Sequence, residues 1–285
     1  MSANRADEPF GYCFNTSTIR GQKLTIEQEI EIVAKAGYQG IEPWISELDR
    51  YVEGGGKLAD LGKRIADAGL KVASAIGFAD WIVDDDDARR RGFETAKRDM
   101  EKVRAIGGSR IAAPPHGATQ RDDMDLRKIA DRYRQLLKLG DEMGVVPQLE
   151  VWGFSKTLQK LSDAVWVVVE AGHPSACLLP DVYHLYKGGS SFPGLRALSG
   201  LAVHVFHVND YPADPPREMI ADKHRVYPGD GVAPLNSIFR DLRDAGFRGM
   251  LSLELFNESY WSQDPLVVAR AGLEKTKAAV RSALS

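Results

Sequence analysis

Cysteine is scarce in this chain: only Cys13 and Cys177 occur, each inside an apolar, strand-like stretch. That excludes a disulfide scaffold, and two buried thiols in a reducing cytoplasm is the expected state. Long apolar runs are also missing, and none approaches the roughly 20 residues of a membrane-spanning helix. Met1 to Pro9 is polar and lacks a signal-peptide core, so a cytoplasmic protein with no membrane partner is expected. There is no excess of positive charge. The net charge is -3 and the pI about 6.1, where a nucleic-acid-binding domain usually has a basic face, so no nucleic-acid partner is expected. Finally, no glycine-rich dinucleotide fingerprint follows any early strand, which counts against an open doubly wound sheet.

What is present is a repeat: an amphipathic helix, a glycine that stops it, then a short strand. The stops are Ala36-Gly37, Ala68-Gly69, Ile106-Gly107, Met143-Gly144, Ala171-Gly172, Ser199-Gly200 and Ala245-Gly246. Glycine suits the left-handed conformation that commonly closes a helix. The stops recur about every 35 residues, close to one βα unit. With the opening strand Phe10 to Asn15 they give eight strands and eight helices. The first helix starts after Thr25, whose hydroxyl caps it while Gln28 reaches back. Further helices are expected near 57–68, 86–106, 123–143, 157–171, 193–199, 235–245 and 264–283, and a third strand over Val72–Phe78. Alternating strands and helices imply a parallel sheet, and eight units close into a barrel. The expected fold is therefore α/β, a (β/α)8 TIM barrel, in a single domain over residues 1–285.

Four apolar runs each end in a residue able to bind a metal: Val145 to Glu150, Ala176 to Asp181, Ala202 to His207 and Met250 to Glu254. The carboxyl ends of the strands are where such a fold keeps its chemistry. A carboxylate after an apolar run is, taken singly, an ordinary loop or cap residue. Four at equivalent positions are not ordinary. Strand alternation puts Gln148 with Glu150 and Ser252 with Glu254, and an inward carboxylate is costly unless a cation balances it. Two Glu, one Asp and one His form a hard, oxygen-rich set suited to one divalent ion, Mn²⁺ first, with Mg²⁺, Co²⁺ or Zn²⁺ as alternatives.

Nearby residues extend the pattern. His184, three residues past Asp181, either contacts a substrate oxygen or orients Asp181. Asp210 is expected to support His207, and His204 to face the helices. Arg225 precedes the Pro228-Gly229 turn and either points inward to fix ligand oxygens or lies on the surface. His116 is a substrate contact or a solvated loop residue, and Trp44, Trp81 and Trp152 are candidate pocket walls. The acidic run Asp84 to Asp87 reads as a helix cap, since carboxylates favour that end of the dipole.

The order Glu, Asp, His, Glu on strands five to eight, with Asp-x-x-His and His-x-x-Asp beside it, resembles the xylose isomerase-like TIM barrels. That superfamily includes sugar isomerases and epimerases and also endonuclease IV. Cys13-Phe14-Asn15, Asp222 to Gly231, and Ser252 to Phe256 followed by Tyr260 are most similar to the 2-keto-myo-inositol (inosose) isomerase group. The resemblance spans the chain. It departs at Val151 to Phe154 and Leu185 to Lys187, where the pocket should differ.

The resemblance implies that Glu150, Asp181, His207 and Glu254 bind the cation, with Glu150 and Glu254 also the acid/base pair. It implies that His184 and Arg225 hold substrate oxygens and that Phe256 lines the pocket. The expected activity is a metal-dependent isomerase or epimerase acting on a sugar or keto-inositol by proton transfer through an enediolate. A 3-dehydroshikimate dehydratase-like lyase is the first alternative. An AP endonuclease is the second, supported by Asp222-Lys223-His224 but lacking a histidine on the third strand. Homo-oligomerisation is left open by the sequence.

Overall fold

A computed structural model of the chain describes residues 8–285, so most of the polar Met1 to Pro9 segment lies outside the described residues. Eight strands run in chain order: β1 Gly11–Asn15, β2 Gly40–Glu42, β3 Lys71–Val72, β4 Arg110–Ala113, β5 Val146–Glu150, β6 Leu178–Leu179, β7 Val205–Val208 and β8 Met250–Leu253. Every ladder is parallel, in the order β3-β2-β1-β8-β7 and β4-β5-β6. Two short seams close the ring. The Ala112 amide donates to Ala75 O (2.9 Å), and the His207 amide donates to Pro180 O (2.9 Å). The (β/α)8 barrel expected from the repeat is the fold.

The helices are α1 Ile26–Ala36, α2 Ile45–Glu53, α3 Leu58–Asp67, α4 Asp86–Ala105, α5 Leu126–Met143, α6 Leu161–Ala171, α7 Val182–Lys187, α8 Leu235–Asp244, α9 Glu258–Trp261 and α10 Pro265–Leu284. The Thr25–Gln28 capping box closes the start of α1 as expected. Asp85 caps α4, so the acidic run is a helix start. Three short helices were not legible. In α7 and α2 the capping residue is the last residue of an apolar run or an aromatic. Asp181 accepts the His184 amide (2.8 Å), and Glu47 reaches back to the Trp44 amide (2.9 Å).

The helix expected at 193–199 is a 3-10 segment, Phe192–Ala197, opened by Pro193. The third strand expected over 72–78 pairs regularly only at Lys71–Val72, with an isolated bridge from Ile76 to Trp44. Among the seven glycine stops, six take positive φ; Gly200 does not. Its reason is close approach, since a Cβ there would lie 2.2 Å from the Gly246 backbone.

Register fixes what points inward. Cys13, Ala73, Ala112, Leu179 and Val205 form a small apolar layer inside the barrel. Their strand neighbours Tyr12, Phe14, Leu178 and Phe206 pack outward against the helices. Because alternation has period 2, two residues beyond the inner layer again face inward, now at the carboxyl ends. Gln148 and Ser252 sit level with that layer, paired with Ala112 and Cys13, and beyond it come Asn15, Glu42, Glu150, Asp181, His207 and Glu254, all buried. Cys13 and Cys177 are free, buried thiols.

Glu29 is one of several buried acids outside the barrel interior. Burial, then the nearby Glu47 carboxylate, pushes Glu29 on α1 from 4.5 to about 10 despite Arg50 and Arg20. A carboxyl held neutral in the fold but ionised in the unfolded chain stabilises the fold fully below about 4.5, and progressively less as pH rises toward 10. The Glu29→Gln variant should therefore gain stability relative to the parent as pH rises from 5 to 8, by up to about 1.4 kcal/mol per unit. Denaturant melts across pH measure this, and a difference independent of pH would contradict it.

Candidate metal centre

Inside the carboxyl end of the barrel, acids from β5, β6 and β8 converge on one imidazole from β7. Ligand atoms of Asp181, His207 and Glu254 all lie within 4.8 Å of one another, the one such cluster among the described residues. His207 Nδ1 is 3.4 Å from Glu254 Oε2, 3.9 Å from Asp181 Oδ2 and 4.0 Å from Glu150 Oε1. The structure thus brings together all four residues expected from the strand ends. Glu150 stands slightly farther out.

The imidazole is aimed by a residue the sequence reading did not select. Its Nε2–H donates to Glu42 Oε2 (3.0 Å), which also accepts from Ser252 Oγ (2.7 Å) and Asn15 Nδ2 (3.0 Å). Burial alone would raise the Glu42 carboxyl, but His207 and these donors outweigh it and hold it below the ordinary range. An ionised Glu42 only accepts, so it fixes a hydrogen on Nε2 and turns Nδ1 inward as the nitrogen whose lone pair a cation would take. The signal was present, since Gly40-Ile41-Glu42 is one more apolar run ending in an acid, but only two residues long.

Asn15 ties this support to the centre. Its Nδ2 also donates to Glu254 Oε1 (3.1 Å), while its Oδ1 accepts from Trp44 Nε1 (2.9 Å) and the Ser17 amide (3.0 Å). Asp181 is held by Asn209 Nδ2 (2.9 Å). Asp210 does not support His207, contrary to expectation. It instead accepts the amides of Tyr211, Gly229 and Ala233, pinning the Pro228-Gly229 loop.

That loop delivers Arg225 inward, 1% exposed. Its Nη1 donates to Glu254 Oε2 (2.7 Å) and Asp181 Oδ2 (3.1 Å), and its Nη2 to Asp222 Oδ1 (2.5 Å). Tyr183 and Phe256 lie under the guanidinium at 4.4 and 5.0 Å. His184 Nε2 is 3.1 Å from Arg225 Nη2, and its Nδ1 faces the Gly153 amide at 3.3 Å. Burial and then Arg225 lower His184 to about 4, so the ring is neutral. A neutral ring has one lone-pair nitrogen for two donors, which leaves one donor available to a ligand oxygen.

Does this donor set fit a cation? Two buried atoms answer directly: His207 Nδ1 and Glu150 Oε2 have no hydrogen-bond partner. Buried polar atoms are rarely left so without a ligand or water to meet them. Charge agrees. Four buried acids, Glu42, Glu150, Asp181 and Glu254, face only Arg225 and His207 as cationic partners. Protons partly fill the deficit: burial, outweighing His207, raises Glu150 to about 8. Burial would lower His207, but Glu254 and Glu42 raise it well above its usual value. A divalent ion among one imidazole and three carboxylates would remove the same deficit. The set fits.

A cavity of about 210 Å³ opens above these groups, lined by Glu150, His184, Arg225 and Glu254 with Trp44, Phe78, Trp152, Phe154 and Phe256. Of the three candidate tryptophans, Trp81 is instead core, donating to Pro114 O (2.8 Å). His116 sits at the rim, paired with Asp80 (2.7 Å) and packed on Phe78. His204 is half-buried outside the interior layer. Asp222 is committed to Arg225, and His224 Nδ1 to the Ala221 amide (2.9 Å).

The sequence profile of the xylose isomerase-like TIM barrel family matches residues 30–279, and the chain belongs to that family. An inosose isomerase of Bacillus velezensis is 26% identical over 273 residues, covering 94% of this chain and 96% of that protein. A 3-dehydroshikimate dehydratase of Pseudomonas aeruginosa is 25% identical over 83% of this chain, but only 37% of that protein is matched. Among solved structures, the IOLI protein with a bound zinc atom superposes with a TM-score of 0.89 at 22% identity, covering 97% of this chain and 100% of that one.

If Glu42 sets the tautomer of His207, the Glu42→Gln variant should bind Mn²⁺ about 10–100-fold more weakly. Calorimetric titration of the metal-free protein measures this. Unchanged affinity would mean that the Nδ1 lone pair does not depend on Glu42.

Proposed function

We propose that the chain is a divalent-metal-dependent isomerase or epimerase that moves a proton next to the carbonyl of a polyol ketone, with an inosose as the leading substrate. The observation that carries this reading is the pair of inward acids, Glu150 and Glu254. Each is within 4.0 Å of His207 Nδ1 and each borders the cavity. The relatives named as inosose isomerases, matched over nearly their full length, support the substrate class.

In this reading Glu150, Asp181, His207 and Glu254 hold one divalent cation. Mn²⁺ is preferred, because three carboxylates with one imidazole make a harder site than zinc's usual nitrogen and sulfur donors. When bound, the cation supplies a Lewis acid that polarises the substrate carbonyl and stabilises charge developing beside it. Glu150 and Glu254 act on the reacting C–H bond, one removing a proton and the other returning one, with an enediolate of the substrate between. Coordination would keep Glu150 ionised and positioned to accept a proton, at some loss of basicity. His184 and Arg225 hold substrate oxygens, Arg225 with its guanidinium fixed on three sides by Asp181, Asp222 and Glu254. Phe256 walls the pocket and packs its ring against the Arg225 guanidinium.

A lyase of the 3-dehydroshikimate dehydratase kind shares the first proton abstraction and is the second reading, favoured by the relative from Pseudomonas aeruginosa. Loss of a hydroxyl would then give an enone or aromatic absorbance. The endonuclease reading has less support. One metal cluster is present among the described residues, and Asp222 and His224 are engaged elsewhere.

The Mn²⁺-loaded protein in D2O should replace one C–H proton of an inosose with deuterium, followed by proton NMR. Glu150→Gln and Glu254→Gln should each slow exchange by about 10²–10⁴-fold, and a chelator should abolish it. No exchange across a panel of inososes and ketoses would sink the proposal.

A further inference from the structure

The cavity has two unlike halves. Its floor is polar, made by Glu150, His184, Asp222, Arg225 and Glu254. Above the floor, aromatic rings follow one another without a break around the mouth. Phe256 lies 6.1 Å from Trp44, Trp44 5.2 Å from Phe78, Phe78 6.0 Å from Trp152, and Trp152 5.1 Å from Phe154. Phe154 then meets the His184 ring at 5.7 Å, returning the arc to the floor.

This collar offers hydroxyl groups little. Trp44 Nε1 is already donated to Asn15 Oδ1, the Trp152 indole N–H is directed at Glu150, and the groups free to meet ligand oxygens belong to the floor below. A polyol reaching up between the rings would lose water without gaining equivalent partners, which is unfavourable for each hydroxyl. A ring ketone stacking its C–H face needs only one or two aromatic neighbours. Five in sequence provide more apolar surface than that, and the outermost two remain open to solvent. Phe78 is 37% and Phe154 43% exposed, side by side with Trp152 at the mouth. Contiguous exposed apolar rings at a pocket mouth are characteristic of a surface that a ligand covers.

We propose that the physiological substrate is a polyol ketone bearing a planar apolar substituent, such as an aryl group. Its ketone ring sits on the acid and metal floor, and its substituent lies in the collar between Phe78, Trp152 and Phe154. This assignment rests on the proton-transfer reading of the floor and adds the chemistry of the outer half. Stacked or edge-on aromatic contacts of this kind favour the substituted ligand beyond the area they bury.

The test uses the Mn²⁺-loaded protein and a matched pair of ring ketones, the phenyl and methyl glycosides of one 3-keto-hexopyranose, with an inosose as reference. Affinity is read by quenching of tryptophan fluorescence, and deuterium exchange is read on the same samples. The phenyl compound should bind at least tenfold more tightly, about 1.4 kcal/mol, and should exchange. Phe78→Ala and Phe154→Ala replace exposed rim side chains, and each should remove most of that preference. Equal affinities, with exchange of the inosose intact, would overturn the aryl assignment and leave the proton-transfer reading standing. So would exchange of the inosose but of neither glycoside. Exchange of none of the three would remove the proton-transfer reading and this assignment with it.

Discussion

The hydrogen bond from His207 Nε2 to Glu42 Oε2 is the contact on which the centre depends. It spans the barrel from β7 to β2 and is wholly buried, so nothing from solvent competes with it. By fixing Nε2 as the donor, it leaves Nδ1, facing Glu150, Asp181 and Glu254, as the nitrogen that would give up its proton to a cation. Ser252, paired with His207 across the β7–β8 ladder, and Asn15 on β1 complete the support of Glu42. A site built this way is held by strands rather than by loops, which is what precise proton transfer requires.

The second constraint is charge. Burying several carboxyl groups in one layer is unfavourable unless protons or cations balance them. Arg225 supplies one fixed cation, held between Tyr183 and Phe256. The rest is met by protons on Glu150 and His207 in the absence of a divalent ion. The same groups that are hard to ionise together are therefore those that would bind an ion and, once bound, give up their protons. Stability and function are coupled here: the layer is poor core and good coordination shell.

Much of this was legible in sequence because the period-2 rule is strict. Once Glu150, Asp181, His207 and Glu254 were seen to end apolar runs, the barrel geometry required them to meet. Glu42 escaped because β2 is three residues long and its apolar run offers too little pattern to register. Asp210 was misread for a different reason. Its position three residues past His207 suggested a local partner, but the chain turns there and the carboxylate serves the backbone of the Arg225 loop. Helices α2 and α7 were missed because their starts are written in tertiary contacts of Glu47 and Asp181 rather than in an amphipathic stripe. The aromatic collar was read only in part: Trp44, Trp152 and Phe256 were expected at the pocket, Phe78 and Phe154 were not, and nothing showed that the five adjoin. Trp44, Phe78, Trp152, Phe154 and Phe256 come from four different βα connections, and only closure of the barrel makes them neighbours.

The central claim is that one divalent ion sits where Glu150, Asp181, Glu254 and the Nδ1 of His207 converge. The most direct measurement is anomalous diffraction from crystals equilibrated with Mn²⁺. The account predicts a single strong peak within coordination distance of those four side chains, with Arg225 still buried alongside. A peak elsewhere, several peaks in the barrel mouth, or none at full metal loading would contradict it.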